Sequence, residues 1–256
     1  IMRILLLALC LSLIPMAASA KTTKAGPFTS MYPEQLAPAA DTYFAESNKV
    51  LFKDGPIATK EARLTAISAS AAMKCEYCIS AQVALAKVAG ATADQIKAAI
   101  QIAAEVTRFS ILLYGNDFGQ DNLKKVVDKM IKKPAKPGKK ATKTGPFYAL
   151  YPRALAPAAE AYFGEWNKVL FKKGPIDTKP ARLAAVSASA AMKCEYCITA
   201  QVALAKVAGA TDDQIKAATQ IAADVGRFSI LLYGNEYGQE NLNKVIKKMI
   251  AKPAKK

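Results

Sequence analysis

The chain has 256 residues, a formal net charge of +16 and no histidine. The length supports two modest domains, and the missing histidine removes haem attachment at C-x-x-C-H, mixed Cys/His zinc sites and every imidazole-activated nucleophile. A basic excess without a nucleic-acid motif reads as a solvated charged surface, so nucleic acid is not an expected partner.

In chain order, Arg3 precedes an apolar run from Ile4 to Ile14, followed by Pro15 and the small-residue sequence Ala18-Ser19-Ala20. This pattern predicts a signal peptide over residues 1–20, cleaved after Ala20, and hence a periplasmic or secreted protein. The run is too short to cross a bilayer, and no later stretch reaches the roughly 20 uncharged apolar residues that a spanning helix needs. No membrane span is expected. Cys10 lies inside the apolar run after Leu9 and leaves with it, so four cysteines remain.

The rest of the chain is written twice. Gly26-Pro27-Phe28 recurs as Gly145-Pro146-Phe147, Lys49-Val50-Leu51-Phe52 as Lys168-Val169-Leu170-Phe171, and Val83 to Thr92 unchanged as Val202 to Thr211, all offset by 119 positions (194 less 75 at the first cysteine). So long a period means duplicated domains and not a solenoid. The expected organisation is a first helical domain over 21–131, a Lys/Pro-rich linker over 132–144, a second domain over 145–251 and a basic tail over 252–256.

Each copy predicts five helices and no strands, an all-α fold. The first begins at Pro33 (Pro152) and turns Leu36, Tyr43, Phe44 and Leu51 to a core. The second starts at Thr59 as N-cap and runs through Leu64 and Ile67 to the cysteines, its Ala66, Ser68, Ala69, Ser70, Ala71 and Ala72 permitting close packing. The third follows the cysteines and stops at Gly90. The fourth starts at Thr92 and carries Ile96, Ile100, Ala103, Val106 and Ile111 to Gly115. The fifth spaces Leu123, Val126, Val127, Met130 and Ile131 along one face. Trp166 replaces Ser47 between copies and so serves no function common to both.

Chemistry concentrates in Cys75-Glu76-Tyr77-Cys78 and Cys194-Glu195-Tyr196-Cys197. Both pairs fall at a helix beginning, where free N–H groups and the helix dipole favour a thiolate. At 100° per residue, Cys75, Cys78 and Gln82 share one face, as do Cys194, Cys197 and Gln201. Spacing and an oxidising compartment predict a disulfide within each motif. Redox exchange is the leading reading. Two others stay open: a soft-ion site for copper(I) using Met73, Cys75 and Cys78 with Met192, Cys194 and Cys197, and inert structural disulfides. A four-cysteine zinc site would require the two motifs to meet. No cofactor is expected.

The run Lys60-x-x-Arg63-Leu64-x-Ala66-Ile67-Ser68-Ala69, then Met73-Lys74-Cys75-Glu76-Tyr77-Cys78-Ile79-x-Ala81-Gln82, then Ala89-Gly90-Ala91-Thr92-x-x-Gln95-Ile96, resembles the carboxymuconolactone decarboxylase and alkylhydroperoxidase D superfamily. The resemblance implies an all-helical fold, a homo-oligomer such as a trimer of two-domain chains, and peroxidase or disulfide-reductase activity fed by a thiol or disulfide electron donor. It implies Cys78 and Cys197 as peroxidatic and Cys75 and Cys194 as resolving cysteines. The decarboxylases of the superfamily lack the pair. The family's peroxidases relay a proton through a glutamate and a histidine at positions held here by Arg63 and Gln82, and by Arg182 and Gln201. Neither side chain is a general base near neutral pH. Either the arginine lowers the thiol pKa by its charge, or it is paired with an acid such as Glu105 or Asp224.

Overall fold

The computed structural model describes residues 26, 28–132 and 147–251. The expected signal peptide, the linker after Lys132 and the basic tail lie outside the described residues. Among the described residues there are ten α-helices and no strand: α1 Ala37–Phe52, α2 Thr59–Ala72, α3 Glu76–Val88, α4 Ala93–Gly115, α5 Gln120–Lys132, and their counterparts α6 Ala156–Phe171, α7 Thr178–Ala191, α8 Glu195–Val207, α9 Asp212–Gly234 and α10 Gln239–Ala251. Among these residues no helix is long and apolar enough to cross a membrane.

Local chemistry sets the boundaries. Thr92 and Thr211 each cap a helix in a full capping box, the hydroxyl accepting from the backbone N–H of Gln95 or Gln214 while that glutamine's side chain accepts from the cap residue's own N–H. Gly90 and Gly209 turn the chain after α3 and α8 with φ of +82° and +80°, a conformation that needs no Cβ.

Three expectations are corrected. The first helix of each copy begins at Ala37 or Ala156 with proline in its opening turn, and Pro33 belongs to the turn before it. Leu36 is therefore 57% exposed instead of core-facing, and Tyr43 is 41% exposed. The cap of α2 is Ala58, without a side-chain hydrogen bond, and Thr59 is the first helical residue. On α4, Ile100 and Ile111 face outward, Ile111 at 68% exposure, because the buried stripe runs through Ile102, Val106, Phe109 and Leu113.

The small residues of the second helix work as expected, though for a wider purpose. Helices α2 and α7 lie along each other at the centre and are buried there: Ala62, Ala66 and Ala69 cluster with Leu183 and Val186, and Ala181, Ala184, Ala185 and Ala188 with Leu64 and Ile67. Around it each repeat packs on the other: α2 on α9 and α7 on α4, α3 on α10 and α8 on α5. The reciprocity is that of a two-fold axis within one chain. Each apolar cluster consequently mixes the copies; Leu51, Phe52 and Ala66 share one with Leu183, Val186 and Ile221.

Candidate functional site

The cysteines are placed by how α2 ends. Lys74 takes the left-handed conformation at φ +56°, its N–H reaching Ala71 O at 3.0 Å and that of Cys75 reaching Ser70 O at 3.1 Å. This paired closure ends a helix sharply, and the position ordinarily takes glycine. The chain then re-enters a helix at once, with Cys75 as N-cap of α3: its sulfur accepts the N–H of Cys78 at 3.1 Å. Cys194 repeats this with the N–H of Cys197 at 3.2 Å. Each motif is closed by its own disulfide, Cys75–Cys78 and Cys194–Cys197, with Cα atoms 5.2 Å apart.

The other repeat clamps each motif. Tyr233 of α9 accepts the Glu76 N–H at 3.2 Å and stacks edge-on to Tyr77 at 4.8 Å. Tyr114 of α4 does the same for Glu195 and Tyr196 at 3.2 and 4.8 Å.

The two sulfurs of a bridge are not equivalent. Both are buried, but Cys75 has no exposed surface, whereas Cys78 at 5% lines a cleft of about 90 Å³ between α1, α2 and α3 of its own repeat and α9 and α10 of the other. Cys197 lines the corresponding cleft of about 60 Å³, closed further by Trp166 where the first has Ser47. Phe44, Phe228, Leu242 and Ile246 make the Cys78 cleft apolar. Gln82 lines it with Cys78, so the expected shared face holds for that pair, while Cys75 lies beneath it.

Arg63 and Arg182 also line the clefts, and the pairing with Glu105 or Asp224 is not found. Arg63 donates to Gln82 Oε1 at 3.1 Å and Asn48 Oδ1 at 3.0 Å; Arg182 donates to Gln201 and Asn167, both at 3.0 Å. Each guanidinium lies over a phenylalanine, Phe52 at 3.8 Å and Phe171 at 3.7 Å. Burial pushes the pKa of Arg63 down to about 10 and that of Arg182 to about 9, so both stay cationic at neutral pH. Arg63 with Gln82 and Arg182 with Gln201 are thus bonded to each other, and each pair lines the same cleft as a cysteine sulfur.

Glu105 and Asp224 enter the clefts from the opposite repeat. Glu105 is paired with Arg108 at 2.9 Å, and Asp224 accepts from Tyr43 at 2.8 Å. Sequence reasoning had no access to this exchange of side chains between copies, nor to the tyrosine clamps. Asn48 was readable only as a repeated residue beside the Lys-Val-Leu-Phe motif. Met73 and Met192 cap α2 and α7 and pack against the core; Met192 Sδ accepts from Thr107 at 3.0 Å, while Met73 Sδ lies 3.6 Å from where a Cβ on Gly226 would be. Among the described residues no group of three or more His, Cys, Asp or Glu gathers as a metal site, so the four cysteines do not form one cluster.

The Carboxymuconolactone decarboxylase family matches residues 38–114 and 157–238, and each segment contains one cysteine pair. Over 76 residues the chain is 33% identical to "Uncharacterized protein 4 in cox locus" of Paracoccus denitrificans, covering 30% of this chain and 68% of that protein. No solved structure matches. With two all-helical segments under one family description and a disulfide-closed C-x-x-C in each, this chain belongs to the carboxymuconolactone decarboxylase family, as a tandem duplication.

Proposed function

We propose that the protein is an exported thiol–disulfide oxidoreductase, with slow hydroperoxide reduction as a side activity, in which Cys78 and Cys197 exchange with substrate and Cys75 and Cys194 act as partner thiols. The observation that carries this reading is the inequivalence of the sulfurs. An incoming thiolate can reach only the sulfur that lines the cleft. The electron pair then leaves on the buried sulfur, already held by a backbone N–H at a helix N-terminus, which makes it a good leaving group. In the reverse direction the cleft cysteine attacks a substrate disulfide and the buried one resolves the mixed disulfide. The apolar lining favours a thiol or disulfide carried on an uncharged arm, and Arg63 and Arg182 favour the attacking thiolate.

Trapping tests the assignment. With Cys75→Ser and Cys194→Ser, reduced protein mixed with an aromatic disulfide should accumulate mixed disulfides at Cys78 and Cys197, located by peptide mapping. With Cys78→Ser and Cys197→Ser none should form. Adducts on Cys75 or Cys194 would overturn the order of attack. A soft-ion role for the same sulfurs predicts stoichiometric copper(I) uptake by reduced protein that survives a competing chelator and is lost with Met73 and Met192. Export predicts a mature N-terminus at Lys21, and the trimer of two-repeat chains predicts the matching mass by light scattering.

A further inference from the structure

The two clefts hold the same disulfide and differ by one methylene in the carboxylate that the opposite repeat supplies. At the Cys197 cleft both oxygens of Glu105 are engaged: Oε1 accepts from Gln101 at 2.9 Å and Tyr162 at 2.6 Å, and Oε2 from Arg108 Nε at 2.9 Å. At the Cys78 cleft the equivalent residue is Asp224. Its Oδ1 accepts from Tyr43 at 2.8 Å, with Gln220 at 3.5 Å. Its Oδ2 is buried with no hydrogen-bond partner among the described residues, and so is Arg227 Nε, the counterpart of the nitrogen that ties down Glu105. The aspartate is too short to span the helical turn to that arginine.

A buried carboxylate oxygen without a donor has given up its hydration with nothing in exchange, so it calls for an explanation. Asp224 is only 7% exposed, and it lines the same cleft as Cys78. Its neighbour Val225 places a carbonyl oxygen 3.8 Å from the Cys78 sulfur. The titratable and charged groups around it are Tyr32 and Tyr43 from the first repeat, Arg227 on its own helix, and Arg63 and Tyr77 in the same cleft.

We propose that Asp224 is the proton acceptor and donor for exchange at Cys78, and that the Cys197 site works without one. This rests on the thiol–disulfide reading above. When a dithiol substrate enters, its first S–H gives the proton to Asp224 Oδ2 as the sulfur bonds Cys78 Sγ. The Cys75–Cys78 bond breaks, and its electron pair leaves on Cys75. The second substrate sulfur then displaces Cys78, which takes the proton back from Asp224, while the second substrate proton goes to solvent. Two electrons pass from substrate to protein. The substrate ends as a disulfide, and the protein as a Cys78 thiol and a Cys75 thiolate. A proton on Glu105 would cancel the charge that pairs it with Arg108, so at Cys197 it is substrate already in the thiolate form that reacts.

The test compares single-site proteins, Cys194→Ser/Cys197→Ser and Cys75→Ser/Cys78→Ser, oxidised and then reduced by dithiothreitol in single turnovers from acid to alkaline pH. Below an ordinary thiol pKa of about 8.5, the Cys78 site should keep a rate plateau, and the Cys197 site should fall tenfold per pH unit with the thiolate. Asp224→Asn should abolish the plateau, slowing the Cys78 site at least about tenfold at neutral pH and leaving the alkaline rate intact. Asp224→Glu should do the same by pairing with Arg227. Glu105→Asp should give the Cys197 site a plateau, an arm that stands even if the Asp224 variants fold poorly. Equal slowing at every pH, an unaffected plateau, or a fast Asp224→Glu protein overturns the proposal. Failure of dithiothreitol to reduce either wild-type site would instead overturn the exchange reading itself.

Discussion

Arg63 pays for its burial with a flat contact on Phe52 and two bonds to neutral amide oxygens, none of which cancels its charge. With Asp224, a thiolate on Cys78 is the negative charge that the cleft sets against it. Arg63→Met and Arg182→Met should therefore raise the midpoint of alkylation rate against pH in reduced protein by roughly one pH unit, while Arg63→Lys should keep the midpoint and cost stability through the lost fork. A midpoint at the free-thiol value that ignores these changes would remove the electrostatic role. Access sorts the cysteines in the same assay: with Cys78→Ser, Cys75 should resist native-state alkylation, since it is fully buried. The sequence named the arginine and the glutamine but left open whether the arginine faced the sulfur or an acid. Identity alone could not decide, because Gln82 lies on the next helix and Asn48 on the preceding one, and only packing brings the three together.

At the scale of elements, the turn from α2 into α3 holds a strained residue at the point that positions the cysteines. Lys74 and Lys193 sit at φ +56°, a conformation that costs a side-chain-bearing residue about 1 kcal/mol. Lys74→Gly and Lys193→Gly should each raise Tm by about 2–4 °C in a chain of this size, measured calorimetrically on oxidised protein. Thr92→Ala should cost about 1 kcal/mol through its capping box. Helix type and number were readable because each element carries its own stop signals: Thr92 with Gln95 three residues on, Gly90 after α3. The start of α1 and the outward turn of Ile111 were not, because a proline suits more than one position near a helix start, and α4 has apolar residues on two faces.

For the whole molecule, the duplication was legible from the offset of 119 (194 less 75). The way the copies complete each other was not, since repeats that pack reciprocally and repeats that hang apart have the same sequence pattern. Its signature is an effect that crosses the chain. Tyr233→Ala, in the second repeat, should speed reduction of Cys75–Cys78 several-fold and leave Cys194–Cys197 alone; Tyr114→Ala should do the opposite. Timed reduction followed by alkylation and peptide mapping reads both bridges in one sample. Equal effects on the two bridges would show that the tyrosines act through general stability and not as clamps. The same crossing has a consequence for inheritance. In an assembly of identical single-repeat chains, any substitution appears at every site at once, so the sites cannot part ways. Here a codon in one half of the gene alters the cleft whose cysteines are encoded in the other half. Asp224 against Glu105 is such a difference, and through it the two clefts of one polypeptide can diverge.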